Sequence, residues 1–477
     1  MLYHFFAVFI FYFLFCINFA FAVRQDTLTA PPIDPSDTLT NQNNLIINSI
    51  VIEGNKITKE KIVARELSFK VNDTIASGEL SEKLVWARRN LLNTALFNFV
   101  TIIPTIKNNF VDIKISVIER WYFFPVPLLD IADPNFSTWL QTSDWSRVNY
   151  GMYLTRNNFR GRKELLRLKI QLGYTEQLLL QYSIPYLNKK QTMGLNFITN
   201  YSRNHQIHYK TEDNKRIFLT DNNDFVREEF YSKIIFSLRQ KIYNTHSIQM
   251  KYNSVKIQDS VAQKNNDYLS DSRTKSAYLT ISYNFKRDRR NIKAYPLKGY
   301  YFEMQATKVN ENIYSDLIFF QGEYDHYFKI NNKLFFASGM QYKLSSTSQQ
   351  PYYLQGGLGY YDWVRGYEYY LIDGQNWYLG KSNLKYQLIA PRVKKINFTQ
   401  NQKFNTLHYA AYLNLFADAG FVQDDLYSKQ NPLANNLMLG YGLGLDFVTY
   451  YDQVIRVEYA INKLKQSGVY ISFSVSI

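Results

Sequence analysis

The spacing of apolar and polar residues changes character near residue 121. Before that point, short strand-like runs are interleaved with segments in which apolar residues recur every three or four positions, the period of a helix. After it, a two-residue period typical of half-buried strands recurs in segment after segment. The chain is therefore predicted to contain a small α+β unit followed by a long all-β region.

The first unit covers residues 45–121, with the predicted order β-α-α-β-β. Residues 46–52 indicate a strand, and Thr58 is placed to cap a short helix. A second helix is expected to begin at Ser77 or Ser81. Two strands end the unit, and the second alternates polar residues with four apolar ones, Val111, Ile113, Ile115 and Val117.

The second region, residues 122–477, contains about sixteen candidate strands. Alternation alone fits two architectures, a soluble β-sandwich and a transmembrane barrel. Three features favour the barrel: tyrosines gather at segment ends, the last strand runs to the final residue and needs a partner to close the sheet, and charged residues share one face as in a wet lumen. The clearest of these charged residues are Arg167, Lys169, Arg456 and Glu458.

The amino terminus predicts export. Residues 1–22 are almost wholly apolar and end in Ala20-Phe21-Ala22, which fits a cleaved signal peptide. The basic residues usual at the start of such a peptide are missing, so an uncleaved anchor is the alternative. Residues 23–44, rich in Pro, Asp, Thr and Asn, indicate a flexible linker. Cys16 is the only cysteine and lies in the removed segment, which excludes a disulfide in the exported protein.

Composition agrees with an unusually aromatic β protein. The chain has 40 Tyr and 34 Phe, and no later segment approaches the roughly 18 uninterrupted apolar residues of a membrane helix. A net charge of +15 suggests attraction to anionic lipid headgroups or acidic partners. Nucleic acid is not an expected partner, because no recognition fold accompanies the basic segments.

Two motifs in the second region carry a family resemblance. One consists of Val364, Arg365, Gly366 and Tyr367, and the other of Phe416, Asp418 and Gly420. They resemble signatures of the BamA/TamA superfamily of outer-membrane assembly factors, also called the surface-antigen family. The first resembles the V-R-G-F/Y motif of a loop that folds into the barrel lumen, with Tyr in place of the commoner Phe, and the second matches the F-x-D-x-G strand motif. The resemblance implies that Arg365 reaches the barrel wall near Asp418 as a bidentate pair; the alternative is a solvated arginine and an unrelated turn aspartate.

The same resemblance extends to both ends of the mature chain. Ile52-Glu53-Gly54-Asn55 and the segment ending in Trp121 look like a POTRA domain, which in this family receives unfolded clients by β-augmentation. A spacer domain is the equally open alternative. The last strand resembles an outer-membrane targeting and closure signal, with Ile477 in place of the usual Phe; one face of it carries Val469, Ile471, Phe473, Val475 and Ile477.

The resemblance also predicts a function. It implies an outer-membrane barrel of about sixteen antiparallel strands with its POTRA domain in the periplasm, acting in assembly or insertion of other proteins. Expected partners are unfolded outer-membrane or secreted client polypeptides, outer-membrane lipids, and periplasmic chaperones or accessory lipoproteins. No enzyme, cofactor or metal site is expected, since no catalytic motif is present. A dedicated translocation pore and a structural or receptor barrel are the alternatives.

Overall fold

The computed structural model describes residues 44–131, 143–221, 223–310, 317–395, 406–449 and 453–473. The predicted signal peptide and nearly all of the predicted linker lie outside the described residues. Within the described ranges, no helix combines the length and the apolar character that a membrane-spanning helix requires.

A four-stranded sheet with two helices forms the first unit. Its elements are β1 (Asn44–Glu53), α1 (Glu60–Ala64), β2 (Thr74–Ala76), α2 (Ser77–Asn93), β3 (Phe97–Lys107) and β4 (Phe110–Glu119). The strand order is β2-β1-β4-β3, with β1 parallel to β4 and the other pairs antiparallel. The predicted order of strands and helices is confirmed. The structure adds the short strand β2, whose three residues are too few to show a two-residue period in the sequence.

Alternation along β4 builds the core of this unit. The four apolar residues predicted to share one face, Val111, Ile113, Ile115 and Val117, are all at most 4% exposed. Leu80, Ala87 and Leu91 of helix α2 are also buried.

The predicted cap of the short helix is wrong. The N-cap of α1 is Lys59, with no side-chain cap, and the Thr58 hydroxyl donates instead to the buried Glu119, 2.6 Å away. The Glu119 carboxylate also accepts the backbone N–H groups of Ile57 and Thr58. A charged acceptor from β4 therefore holds both the hydroxyl and the backbone N–H of Thr58.

The second region forms a 16-stranded antiparallel sheet and confirms the predicted strand number. The strands of this large sheet are β5 (Phe123–Ile131), β6 (Val148–Phe159), β7 (Glu164–Gly173), β8 (Thr175–Ile184), β9 (Met193–Asn204), β12 (Arg227–Gln240), β13 (Asn244–Ile257), β14 (Lys275–Asp288), β15 (Gly299–Asn310), β16 (Ile318–Lys329), β17 (Leu334–Ser345), β18 (Asn376–Lys395), β19 (Thr406–Gln423), β20 (Met438–Val448), β21 (Val454–Asn462) and β22 (Ser467–Phe473). A separate hairpin, made of β10 (Gln206–Glu212) and β11 (Lys215–Thr220), is inserted between β9 and β12. The helix α3 (Asp259–Lys264) follows β13.

Apolar residues of this sheet face outward, which decides against the soluble sandwich. On β13, Ile248, Met250 and Tyr252 are 51%, 52% and 45% exposed. Their neighbour Asn253, on the opposite face, is 1% exposed. A sandwich would bury the apolar face against a second sheet, whereas a barrel presents it to lipid and turns polar residues inward.

Because the strands are antiparallel, their connections lie alternately at two rims. The rim we call the turn rim carries five connections that lie wholly within the described residues: 160–163, 185–192, 241–243, 289–298 and 330–333. Strand β5 also begins there, since Phe123 pairs with Arg156 near the end of β6. The opposite loop rim carries the β10–β11 hairpin, helix α3 and the long connection 346–375.

Candidate functional site

The predicted lumen motif lies in the connection 346–375, between β17 and β18. A tight turn forms it: the backbone N–H of Tyr367 donates to the carbonyl of Val364 at 3.0 Å, and Gly366 has φ of 94°, where a side chain would be strained. A Cβ at Gly366 would also lie 3.2 Å from that of Asn462 on β21. The turn therefore requires glycine at this position for both conformation and close approach.

Arg365 and Asp418 are brought together. The Arg365 Nε donates to Asp418 Oδ2 at 2.7 Å and its Nη2 to Oδ1 at 2.5 Å, the bidentate fork that matches a carboxylate. Both residues are buried, at 3% and 4% exposure. The Arg365 backbone N–H adds a third bond to Asp418 at 3.2 Å. The carboxylate thus fixes both the side chain and the backbone of the loop tip.

Each residue of the F-x-D-x-G motif holds a different part of the loop tip, because alternate residues of β19 share one face. The Phe416 ring lies 3.8 Å below the Arg365 guanidinium as a cation–π partner. Asp418 forms the ion pair. Gly420 leaves space for Val364, whose Cγ2 would be only 2.4 Å from a Cβ at that position.

Arg365 has two further partners, and the sequence did not predict either of them as its partner. Its Nη1 donates to Glu458 Oε1 at 3.0 Å and to Asn383 Oδ1 at 2.8 Å, on β21 and β18. Glu458 appeared in the sequence only as one of several charged residues on an inward face. Arg456, two positions earlier, is the signal that could have identified Glu458. Two opposite charges on the same inward face of a strand need ionic or hydrogen-bonding partners when they are buried.

The ion-pair network continues along the same wall. Arg456 Nε donates to Asp446 Oδ1 at 2.8 Å on β20, and the Tyr295 hydroxyl donates to Asp446 Oδ2 at 2.7 Å. Lys385 lies 4.5 Å over the Tyr295 ring. Opposite charges on β18 to β21 therefore balance one another around the loop tip.

The residues that follow the motif connect the loop to the last two strands. Asn462 Nδ2 donates to the Gly366 carbonyl at 2.8 Å, and the Tyr370 hydroxyl donates to Gln466 at 2.9 Å. The Tyr470 hydroxyl of β22 hydrogen-bonds to the buried Glu368 carboxyl group. Burial raises the pKa of Glu368 to about 8.

Elements of the loop rim converge on Asp373, which is 1% exposed. Its carboxylate accepts bonds from the hydroxyl groups of Thr211 at 2.5 Å and Tyr352 at 2.9 Å, and also from that of Tyr360. Burial raises the pKa of Asp373. At the tip of the β10–β11 hairpin, Asn214 donates to and accepts from Leu371 and so ties the hairpin to the long loop.

The predicted closure strand is described in part. Val469 is 60% exposed and Tyr470, its neighbour, is 6% exposed, so the two alternate between the faces of β22. Ile471 is half-buried. The side chain of Phe473, and residues Val475 and Ile477, lie outside the described residues. In the part of the chain that is described, no cluster of three or more His, Cys, Asp or Glu side chains could hold a metal ion.

Family profiles match both regions of the chain. The Omp85 superfamily domain matches residues 158–477, and a POTRA domain described as a surface antigen variable number repeat matches residues 45–120. The chain belongs to the Omp85 superfamily. The 16-stranded sheet is the outer-membrane β-barrel of an Omp85 protein, preceded by one POTRA domain. The resemblance drawn from the two motifs is confirmed.

Solved structures match this chain at low identity. A crystal structure of BamA from Haemophilus ducreyi lacking POTRA domains 1–3 has a TM-score of 0.51 and 15% identity, over 90% of this chain and 84% of that one. CdiB from Acinetobacter baumannii has a TM-score of 0.49 and 13% identity, over 90% of this chain and 73% of that one. CdiB from Escherichia coli has 0.48 and 12%, over 95% and 94%. Comparison with curated protein sequences gives no match.

Proposed function

We propose that this Omp85 protein assembles other outer-membrane proteins, with the POTRA domain in the periplasm. Omp85 proteins insert or translocate polypeptides at the outer membrane, and both activities fit the fold. In the proposed mechanism, an unfolded client docks on the POTRA sheet and then enters the membrane at the seam between β5 and β22, the first and last strands of the barrel sheet. Periplasmic chaperones or accessory lipoproteins deliver the client. No cofactor or enzymatic step is involved.

The POTRA sheet offers an edge for docking. In the described part of the domain, β3 pairs with β4 on one side and is the outermost strand of the sheet. Ile103 and Ile106 on this strand are 52% and 54% exposed. An extended client can add to such an edge through backbone hydrogen bonds and place apolar side chains on the exposed isoleucines.

The observation that carries the proposal is the pair of prolines on β5. Pro125 and Pro127 lack a backbone N–H, and residues two apart direct that group to the same edge of a strand. Proline occurs in sheets where the missing donor faces away from the paired neighbour. Since β6 pairs with β5 along its length, we assign the two missing donors to the edge that faces the seam.

A seam with fewer hydrogen bonds opens at lower cost. A client strand entering hydrocarbon needs a partner for each backbone polar group, and exchange with β5 or β22 supplies one. The lumen loop restrains the other side of this seam through Tyr470 on β22. The proposed role of Arg365 and Asp418 is therefore to hold the loop in place while the seam opens and closes.

The second candidate function is a pore that translocates a dedicated partner. Its support is the polar inner wall, where Gln249, Lys251 and Asn253 alternate with the lipid-facing residues of β13. Deletion of residues 364–367 separates the two candidates in planar bilayers. A plugged pore would gain ion conductance on deletion, whereas an assembly factor would lose client insertion.

Depletion of the protein followed by quantitative outer-membrane proteomics tests the proposed function. Broad loss of β-barrel proteins is the expected result. Loss of one surface protein would instead assign dedicated secretion. An unchanged profile would contradict both and leave a structural or receptor barrel.

A further inference from the structure

The turn rim of the barrel is basic wherever its connections are described throughout. Five connections meet that condition, 160–163, 185–192, 241–243, 289–298 and 330–333; each contains Lys or Arg, and none of the five contains Asp or Glu. Among the exposed cations are Lys189, Lys190, Lys293 and Lys298. The charge excess of the whole chain is thus concentrated at one rim of the sheet.

The loop rim has a different charge balance. Its longest connection, residues 346–375, contains the carboxyl groups of Asp362, Glu368 and Asp373 against the single cation Arg365. The connection 424–437 contains Asp424 and Asp425 against Lys429. A proteome that simply favours lysine would enrich both rims, so the asymmetry between them needs a local cause.

Exposed apolar side chains accompany the cations of the turn rim. Leu187 is 48% exposed beside Lys189 and Lys190, and Ile292 is 48% exposed beside Lys293. Ile330, in the connection that also contains Lys333, is 56% exposed. An apolar residue next to lysine is the composition of a segment that enters a lipid headgroup layer, with the apolar group inserted and the ammonium among the phosphates.

An aromatic belt adjoins the basic connections on the outward face. The ends of β14 and β16 and the starts of β15 and β17 contribute it, with ring centroids 6.0 Å apart for Phe285 and Phe302 and 4.0 Å apart for His326 and Phe328. Arg287 extends the belt, its guanidinium 5.7 Å over the Tyr300 ring. Aromatic belts mark the depth of the membrane interface. The basic connections therefore lie at headgroup level.

We infer that the turn rim is a binding surface for anionic phospholipids, whose headgroup phosphates contact the lysines while Leu187, Ile292 and Ile330 enter the acyl region. The chain enters the barrel at this rim, so the lipid layer involved is the periplasmic leaflet. An acidic polypeptide would match the cations, but it would leave the exposed apolar residues and the adjoining belt unexplained. The inference requires only that the barrel spans the membrane and is independent of whether the seam opens.

Lipid binding to the delipidated, detergent-solubilised full chain, counted by native mass spectrometry, tests this inference. The probes are phosphatidylglycerol, phosphatidylcholine, inorganic phosphate and polyglutamate. The turn-rim variant replaces Lys189, Lys190, Lys293 and Lys298 with Gln. The matched control makes the same four-charge change at the loop rim, at Lys215, Lys429, Lys463 and Lys465, which are also exposed.

Wild-type protein should bind phosphatidylglycerol in preference to phosphatidylcholine. The turn-rim variant should bind phosphatidylglycerol at least about tenfold more weakly than wild type, because each lysine near an anionic surface contributes to binding. The loop-rim control should stay within about twofold of wild type, since its cations lie away from the turn rim. Raising the salt concentration should weaken wild-type binding through screening, a measurement that holds even if the variant folds poorly.

Three results would overturn the inference. The first is equal binding of the two lipids by wild-type protein, or equal losses in the two variants. The second is displacement of phosphatidylglycerol by inorganic phosphate at equal concentration, because the apolar residues would then contribute nothing. The third is polyglutamate binding that falls in the turn-rim variant while lipid binding does not, which would assign the surface to acidic polypeptides.

Discussion

A single arginine organises the inner wall of this barrel. Arg365 is 3% exposed and directs its guanidinium at Asp418, Glu458 and Asn383, which lie on β19, β21 and β18. The three strands are joined through one side chain that belongs to none of them. Its fork geometry, which lysine cannot reproduce, allows one cation to serve several acceptors.

Replacing Arg365 with Ala should destabilise the barrel by about 3–5 kcal/mol, because the buried Asp418 loses its cation and Glu458 keeps only Arg456, at 3.9 Å. The measurement is the temperature at which the compact band converts to the unfolded band on a gel. Arg203→Ala is the control, since Arg203 pairs with Glu176 at 2.6 Å in a half-exposed setting, where such pairs contribute about 1 kcal/mol or less. Normal heat-modifiability of the Arg365 variant would contradict the proposed role of Arg365 and Asp418 in holding the loop to the barrel wall.

Glu368 should make the stability of the loop depend on pH. Its pKa is about 8 in the folded chain, against an ordinary value of 4.5. Between these two values the folded chain binds more protons than the unfolded chain, so stability falls as pH rises from about 4.5 to about 8 and changes little beyond.

The Glu368→Gln variant should flatten that dependence, because Gln keeps the neutral form at every pH. Conversion temperatures at pH 5 and pH 8 measure it: the difference should shrink in the variant and persist in Asp362→Asn, a change in the same loop. Equal pH dependence in all three proteins would show that Glu368 does not titrate in this window.

Strands and loops differ in how far the sequence predicted them. The β4 alternation and the sixteen barrel strands follow from a period that each segment carries locally. Asp418 was predicted as the partner of Arg365 through its motif, whereas Glu458 and Asn383 have no motif and meet Arg365 only in the folded sheet. Thr58 does not cap the short helix as its position predicts, because its hydroxyl bonds to Glu119, which lies 61 residues away in the sequence.

The loop-rim cluster was not predicted for the same physical reason. Asp213 and Asn214 both have positive φ, as a tight hairpin turn requires, and the residue types signal such a turn. Nothing local, however, indicates that Asn214 bonds to Leu371, 157 residues further along. Loop packing on a barrel depends on pairs that share neither a period nor a spacing.

Close packing of β20 against the loop gives a test that leaves every charge in place. A Cβ at Gly440 would lie 1.8 Å from the Arg365 carbonyl oxygen, so Gly440→Ala must push the loop tip off the wall. Gly380→Ala is the matched control, because its Cβ would meet nothing nearer than 3.9 Å.

The Gly440 variant should therefore lower the conversion temperature as Arg365→Ala does, while the Gly380 variant should resemble wild type. The reason is that displacing the Arg365 backbone breaks its fork with Asp418. Equal behaviour of the two glycine variants would mean that loop docking does not contribute to barrel stability.

The proposed assembly route uses three parts of the protein. They are the edge of the POTRA sheet, the restrained lumen loop, and the seam between β5 and β22, which two prolines weaken. The chain has a single native cysteine, Cys16, which simplifies cross-linking. Leu129 on β5 and Val469 on β22 both lie near the loop rim and face outward, at 42% and 60% exposure. A disulfide between cysteines placed at these positions, or at Leu129 and Ile471, would lock the seam.

The control locks two neighbouring strands inside the sheet. Ile234 and Met250 are paired partners on β12 and β13 and are 50% and 52% exposed. A disulfide between cysteines at these positions faces outward like the seam disulfide but leaves the seam free. Formation of each bond is verified by gel mobility before and after reduction.

Seam opening is then tested by measuring how fast an unfolded β-barrel client inserts into vesicles that contain the oxidised seam variant. Insertion should stop on oxidation, recover on reduction, and continue undisturbed in the β12–β13 control. Insertion at the control rate with the seam disulfide fully formed would show that clients do not enter the membrane between β5 and β22.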